Sequence, residues 1–162
     1  ESVPYHIYYA VLNTKKIANI PQNRERVFII GIRDDDDNYF RFPKEQPLTI
    51  KLKDILEENV DIKYVVNYNE KYNDIIKKSL SQNYATCIDA SYYKGFGVRQ
   101  GKCRQVVKYK NKVRRLTPRE CFRLQGFKDN FKFILSNSQL YKQAGNSITI
   151  DVLEKILNNL TF

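Results

Sequence analysis

Two stretches, 5–12 and 27–33, are apolar on nearly every residue and rich in β-branched and aromatic side chains. They lack the strict in-out alternation of a half-exposed strand, so they predict two buried strands. The connector between them is polar and ends in Ile20-Pro21-Gln22-Asn23-Arg24-Glu25-Arg26. Asp34 to Asp37 reads as a solvated acidic turn, without the alternating spacing and glycine of a calcium loop. Further along, the pattern predicts a short strand at Tyr39–Phe42 and a helix near Leu52–Glu57. It predicts a second helix over Glu70–Leu80 with Tyr72, Ile75, Ile76 and Leu80 on one face. Strands are expected near Tyr84–Ala90 and Gln105–Tyr109, the latter turning at Lys110-Asn111 into Lys112–Arg115 as a hairpin.

The helix from Thr117 is the best marked. Thr117 suits the N-cap, Pro118 the first helical position, Glu120 the return arm of a capping box, and Gly126 a left-handed stop. Leu116 and Cys121 stand where a hydrophobic staple would sit. A short helix is expected over Asn137–Ala144, stopped by Gly145. A last helix starts at Asn146 or Ser147, with Ile148, Val152, Leu153, Ile156, Leu157 and Leu160 as its apolar stripe.

Composition narrows the function classes. The 162 residues carry a net charge of +10, the footprint of a polyanion partner, although an AT-rich coding sequence also yields much Lys, Asn, Ile and Tyr. No apolar stretch approaches the roughly 20 residues of a spanning helix, and no signal peptide is read. Three separated cysteines without a CxxC pair argue for a reducing compartment and against structural zinc. A single histidine, His6, leaves no plausible His-based triad or metal site. The absence of any Met points to a processed product or an excised piece.

Three clusters stand out. Arg24 and Arg26, two apart on an extended backbone, point to one side and could fork onto phosphate or a base edge; a salt-bridge cluster around Glu25 is the plainer alternative. Lys112, Arg114, Arg115, Arg119 and Arg123 surround the start of the capped helix, either as a phosphate site or as solvated charge. Gly145-Asn146-Ser147 is either a helix cap or the border of a pocket.

Taken together and in this order, the clusters resemble the last motifs of the C5-cytosine DNA methyltransferases. Ile20 to Gly31 resembles the eighth motif. Arg114 to Cys121, continuing through Arg123-Leu124-Gln125-Gly126-Phe127, resembles the ninth, and Tyr141 to Ile148 the tenth. The segment between the eighth and ninth, about 34–112, corresponds to the variable target-recognition region. Its Tyr84 to Ser91 stretch resembles a strand in which a Thr-aliphatic pair precedes the recognition loop, with either Thr86 or Cys87 in the Thr position.

The resemblance implies roles. Arg26 would reach a flipped cytosine, and Arg24 would bind the DNA backbone or order that pocket. Asn146 and Ser147 would border the S-adenosylmethionine pocket. Thr86, Lys94, Arg99, Arg104, Arg114 and Arg119 are the expected DNA-binding residues, Arg114 and Arg119 also shaping the ninth-motif helix. The nucleophile loop and the Glu-Asn-Val motif of such enzymes precede the eighth motif. Glu58-Asn59-Val60 is therefore a decoy, expected at a surface helix end, and Cys87, Cys103 and Cys121 all lack the Pro-Cys context.

The implied fold is α/β: the trailing strands and final helix of a Rossmann-like methyltransferase sheet, plus a small mixed recognition domain. Residues 1–33 would end the sheet, 34–135 form the recognition domain with the ninth motif, and 136–162 return to the sheet. The chain alone is expected to be inactive, as a fragment or the smaller subunit of a split enzyme; the missing Met favours the fragment. Expected partners are double-stranded DNA and the missing N-terminal half, with self-association through exposed apolar faces and no membrane. The expected setting is bacterial or phage-type cytoplasm, at the nucleoid. The rivals are a non-catalytic DNA-binding module and part of a transfer-RNA cytosine methyltransferase.

Overall fold

The computed structural model describes residues 4–33, 39–99 and 102–160. The acidic run Asp34–Asp37 and the loop glycine Gly101 lie outside the described residues, and of Arg99 only the backbone is described.

The two apolar stretches form β1 (Tyr5–Asn13) and β3 (Glu25–Arg33), an antiparallel pair with Ile7 opposite Gly31, Tyr9 opposite Ile29 and Val11 opposite Val27. Tyr8, Ala10, Phe28 and Ile30 pack on the larger core. The opposite face leaves Tyr5, Ile7, Tyr9, Val11, Val27 and Ile29 more than half exposed. The ribbon is thus apolar on both faces and covered on one, which is why its sequence does not alternate.

Between the strands, α1 (Thr14–Ile17) is capped by Asn13, whose side chain accepts from Lys15 N. The short β2 (Gln22–Asn23) runs parallel to β4 (Ala85–Thr86), so the start of the 20–31 stretch is paired with the 84–91 stretch. The expected strand over 84–90 stops at Thr86. Asp89 Oδ1 accepts from Ser91 N at 2.7 Å and turns the chain into a 3-10 helix, Ala90–Lys94.

The expected strand at Tyr39–Phe42 has no ladder. It is an aromatic strap in which Phe40 is buried edge-on against Tyr8 and Phe42. The helix near 52–57 is a 3-10 turn over Leu52–Ile55, and Glu58-Asn59-Val60 follows it as a bend with Glu58 and Asn59 exposed. The 70–80 helix forms as a 3-10 turn, Glu70–Tyr72, leading into α2 (Asn73–Leu80). Its anticipated face enters a small second core with Cys103, Val106 and Val113. There β5 (Val98–Arg99) pairs with β6 (Lys102–Cys103), and β7 (Val106–Tyr109) pairs with β8 (Lys112–Arg115) around Lys110, at φ 53°.

The capped helix is α3 (Pro118–Arg123), with both arms of its Thr117–Glu120 box closed and Gly126 at φ 82°. Leu116 and Cys121 are both fully buried. Two expectations at the C-terminal end fail. Gly145 does not stop a helix: α4 runs Asn137–Asn146 straight through it. A Cβ at Gly145 would fall inside the backbone of Asp89 and Ala90, so this glycine permits close approach rather than a left-handed turn. The last helix, α5, starts at Ile150, where the backbone N–H donates to Gln125 O at 3.0 Å, and ends at Leu157. Val152 and Ile156 are buried, but Ile148 and Leu157 stand exposed, so the stripe is narrower than the pattern suggested.

One large core joins Leu12 and Ile17 to Ile88, Leu116, Phe122, Leu140, Val152 and Ile156. It draws together elements from both ends of the chain, and the arginine cluster lies where they meet.

Candidate functional site

Arg24 lies between β2 and β3, only 4% exposed. Its Nη1 donates to Ile88 O at 2.9 Å; its Nη2 donates to Ser147 O at 2.7 Å and Gly145 O at 3.2 Å. One guanidinium therefore fastens Ile88, just past β4, to the turn that ends α4. Burial lowers the Arg24 pKa from its usual value; Cys87 opposes that shift and neighbouring Arg26 adds to it. With both terminal nitrogens turned onto carbonyls, Arg24 orders the site and offers no fork to a DNA phosphate. Of the two roles expected for it, only the ordering one fits this geometry.

Arg26, on β3, is exposed. Nη1 donates to Glu25 O at 2.6 Å, and Nη2 lies 3.5 Å from Cys87 Sγ. Arg24 Nη1 is also 3.5 Å from that sulfur. The two arginines do reach one side, and they meet at Cys87.

Gln22 holds this arrangement from behind. It is fully buried, its Nε2 donating to Leu124 O at 2.6 Å and its Oε1 accepting from Ile88 N at 3.0 Å. Gln22 carries structural weight that its sequence did not announce, and of the two candidates for the Thr position it is Cys87 that meets the arginines. Their position beside the arginines and in the recognition strand was the available signal.

Asn146 is exposed at the end of α4, and Ser147 is half-buried with its hydroxyl donating to Ile148 O at 2.8 Å. Both belong to the turn gripped by Arg24.

The DNA-binding candidates divide. Thr86 pairs with Asn23, and its N–H donates to Gln105 Oε1 at 2.9 Å. Lys94 is exposed beside Tyr93, whose ring also lies 4.8 Å from Lys142 Nζ, so that two cations adjoin one aromatic ring. Arg104 braces the same loop through Gly95 O and Ser91 Oγ. Arg114 must be corrected: it is 1% exposed and locked to Glu120 by two bonds of 2.7 and 2.6 Å, so it contacts no phosphate. Arg119 is turned toward Phe131 O at 3.0 Å and lies 3.8 Å over the Phe133 ring. The cluster around α3 is thus an internal brace more than an anion site. Arg123 completes it, paired with Asp129 and donating to Ile55 O.

The cysteines separate just as sharply. Cys87 is exposed, whereas Cys103 and Cys121 are buried and burial pushes both of their thiols up. One thiol should therefore react within minutes with a disulfide reagent in the native chain, and three after denaturation. Two fast equivalents in the native state would contradict this packing.

The sequence profile of the C-5 cytosine-specific DNA methylases matches residues 1–161. Type II methyltransferase M2.ScrFI of Lactococcus lactis subsp. cremoris is 40% identical over 99% of the chain, which covers 46% of that relative. Type II methyltransferase M.Bsp6I of Bacillus sp. (strain RFL6) is 36% identical, with 99% and 56% covered. The chain thus spans about half the length of these curated relatives. Among solved structures, S. pombe Dnmt2 methyltransferase aligns with a TM-score of 0.69 at 20% identity, covering 98% of this chain and 60% of that one. Entamoeba histolytica methyltransferase EhMeth gives 0.67 at 21%, with 98% and 55% covered. The α/β arrangement is that of part of a Rossmann-like methyltransferase, and across nearly its whole length this chain belongs to the C-5 cytosine-specific DNA methylase family.

Proposed function

We propose that this chain is the target-recognition and cytosine-gripping part of a DNA cytosine-5 methyltransferase that uses S-adenosylmethionine. The observation that carries the reading is the Arg24 clasp. It joins Ile88, just past β4, to the Gly145–Ser147 turn, and Arg26 meets the adjoining Cys87, which supports reading these groups as parts of one site.

In this reading the target base leaves the duplex, at an unstacking cost of about a few kcal/mol. Arg26 donates to the cytosine carbonyl and stabilises negative charge as a thiolate of the complementary half attacks C6. S-adenosylmethionine supplies the methyl group when bound, with Asn146 and Ser147 at its border. Lys94, Lys142 and the β5–β6 pair bearing Arg99 face the duplex, with Arg104 bracing their loop from behind and Thr86 beside them in β4. Arg119 remains available only at the rim of the α3 brace.

The bare apolar face of β1 and β3 is covered by the complementary half, and without it the chain self-associates. Domains divide as the motifs do: 1–33 and 136–162 belong with the sheet, 34–135 with recognition. The partners are then duplex DNA and that half, in a bacterial or phage-type cytoplasm at the nucleoid. No helix among the described residues is long and apolar enough to cross a membrane.

The test is reconstitution. Alone, the chain transfers no labelled methyl group; mixed with its complementary half and S-adenosylmethionine, it labels cytosine in duplex DNA. Arg26→Ala then lowers turnover about a hundredfold while DNA affinity changes less than about tenfold. DNA binding with no transfer would make the chain a non-catalytic module, and labelling of transfer RNA in preference to DNA would move the substrate class.

A further inference from the structure

The recognition strand offers two residues for one place, and the geometry separates them. Thr86 is held in the β2–β4 ladder and tied to Gln105 by its backbone. Cys87 is the residue that turns its side chain to the arginines. Its sulfur lies 3.5 Å from Arg24 Nη1 and 3.5 Å from Arg26 Nη2, both donors, and its thiol donates toward Ile88 O at 3.7 Å.

Arg24 does not depend on that sulfur, because three carbonyls already hold it. Arg26 is in a different position. Its other hydrogen bond goes to Glu25 O, the carbonyl of its own chain neighbour, which ties the guanidinium to β3 and not to the recognition strand. The contact that ties Arg26 to the 85–88 segment is Cys87, whose thiol donates on to Ile88 O.

We propose that Cys87 is a positioning residue for Arg26: it accepts from the guanidinium, donates back to Ile88 O, and so presets the fork that grips the cytosine. The proposal rests on the function given for Arg26 above. Sulfur is a weak acceptor, so the guanidinium is oriented without being captured, and a stronger ligand acceptor displaces it. The position needs a side chain that donates once and accepts twice. A hydroxyl meets that requirement, and valine, of similar shape, does not.

The test compares Cys87→Thr, Cys87→Val and Arg26→Ala, with the double variant Cys87→Val/Arg26→Ala, in the enzyme reconstituted from this chain and its complementary half. Cys87→Val is expected to lower kcat about tenfold with DNA affinity changed less than about twofold, and Cys87→Thr to return kcat to within about threefold. In the Arg26→Ala background, Cys87→Val should have no further effect beyond about twofold. Full kcat in Cys87→Val overturns the proposal, as does an undiminished loss in the Arg26→Ala background. If Cys87→Thr abolishes turnover, the sulfur has a chemical role of its own and positioning is wrong. If Arg26→Ala leaves kcat unchanged, the functional reading of Arg26 fails first, and this proposal falls with it.

Discussion

Replacing Gly145 by alanine lowers the stability of the chain by at least about 3 kcal/mol, near the upper end of the usual cost of overpacking. The reason is the identity of the atoms in the way. A methyl group there overlaps the backbone of Asp89 and Ala90, not the end of a side chain that could swing aside. Either α4 must withdraw from the 90–94 segment, or the Asp89-capped turn must open. Both movements pull on the carbonyl of Gly145, which Arg24 holds. Gly31→Ala is the control, since its methyl group meets Ile7 Cδ1 at 3.4 Å and Tyr5 Cδ1 at 3.6 Å, ordinary contacts with side chains. It should stay within about 0.5 kcal/mol of the parent. Urea unfolding of the three proteins decides the matter, and for a chain of this size the Gly145 variant should melt roughly 6–12 °C lower. Equal stability of the two glycine variants would mean that α4 is not seated as described.

Arg114→Met comes second in size, at about 3–5 kcal/mol. Glu120 is wholly buried and accepts four hydrogen bonds, two from Arg114 and one each from Thr117 N and Glu57 N. Removing the cation leaves a carboxylate shut away from water with only two backbone donors. Arg114→Met/Glu120→Gln should recover a good part of the loss, because the uncharged amide needs no counter-ion. Denaturant unfolding reads both variants; a single-variant cost under about 1 kcal/mol would remove the pair from the scaffold. A second readout separates brace from phosphate contact. The salt dependence of DNA binding should keep its slope in a folded Arg114 variant, whereas losing an exposed contact such as Lys94 should flatten it by about one unit.

Much of the fold could be read in advance where the interactions are local. The Thr117 cap, the proline at the first helical position, the Glu120 return arm and the Gly126 stop all act within a few residues, and all stand where expected. The Lys110-Asn111 turn joins its two strands as expected. The α2 face also packs as its spacing indicated. The pattern misled where an element depends on a distant partner. Tyr39–Phe42 has strand-like residues but joins no ladder among the described residues, and Phe40 instead packs as a strap on Tyr8. The Tyr84–Ala90 strand is cut short because, past Thr86, the Ile88 N–H is taken by the Gln22 side chain and Asp89 turns the chain by accepting from Ser91 N.

The site shows the same division more sharply. Motif order along the chain was enough to select the family and to draw attention to Arg24, Arg26, Asn146 and Ser147. The charge pattern could not tell which arginines face solvent. Arg24, Arg26 and Arg114 are the same side chain in similar basic runs, yet one is a clasp, one is exposed and one is sealed against a carboxylate. Nor could spacing choose between Thr86 and Cys87, or distinguish a glycine that stops a helix from one that lets it approach a backbone.

Local hydrogen bonding and motif order were thus determined by the amino-acid sequence itself, because the groups involved lie within one turn of each other and meet in almost any fold. The fate of Arg24 and Arg26, the choice of Cys87 and the purpose of Gly145 were decided only in the tertiary structure. Their partners lie some 60 to 120 residues away, at Cys87, Ile88, Asp89 and Ser147, and burial has no meaning until those segments pack.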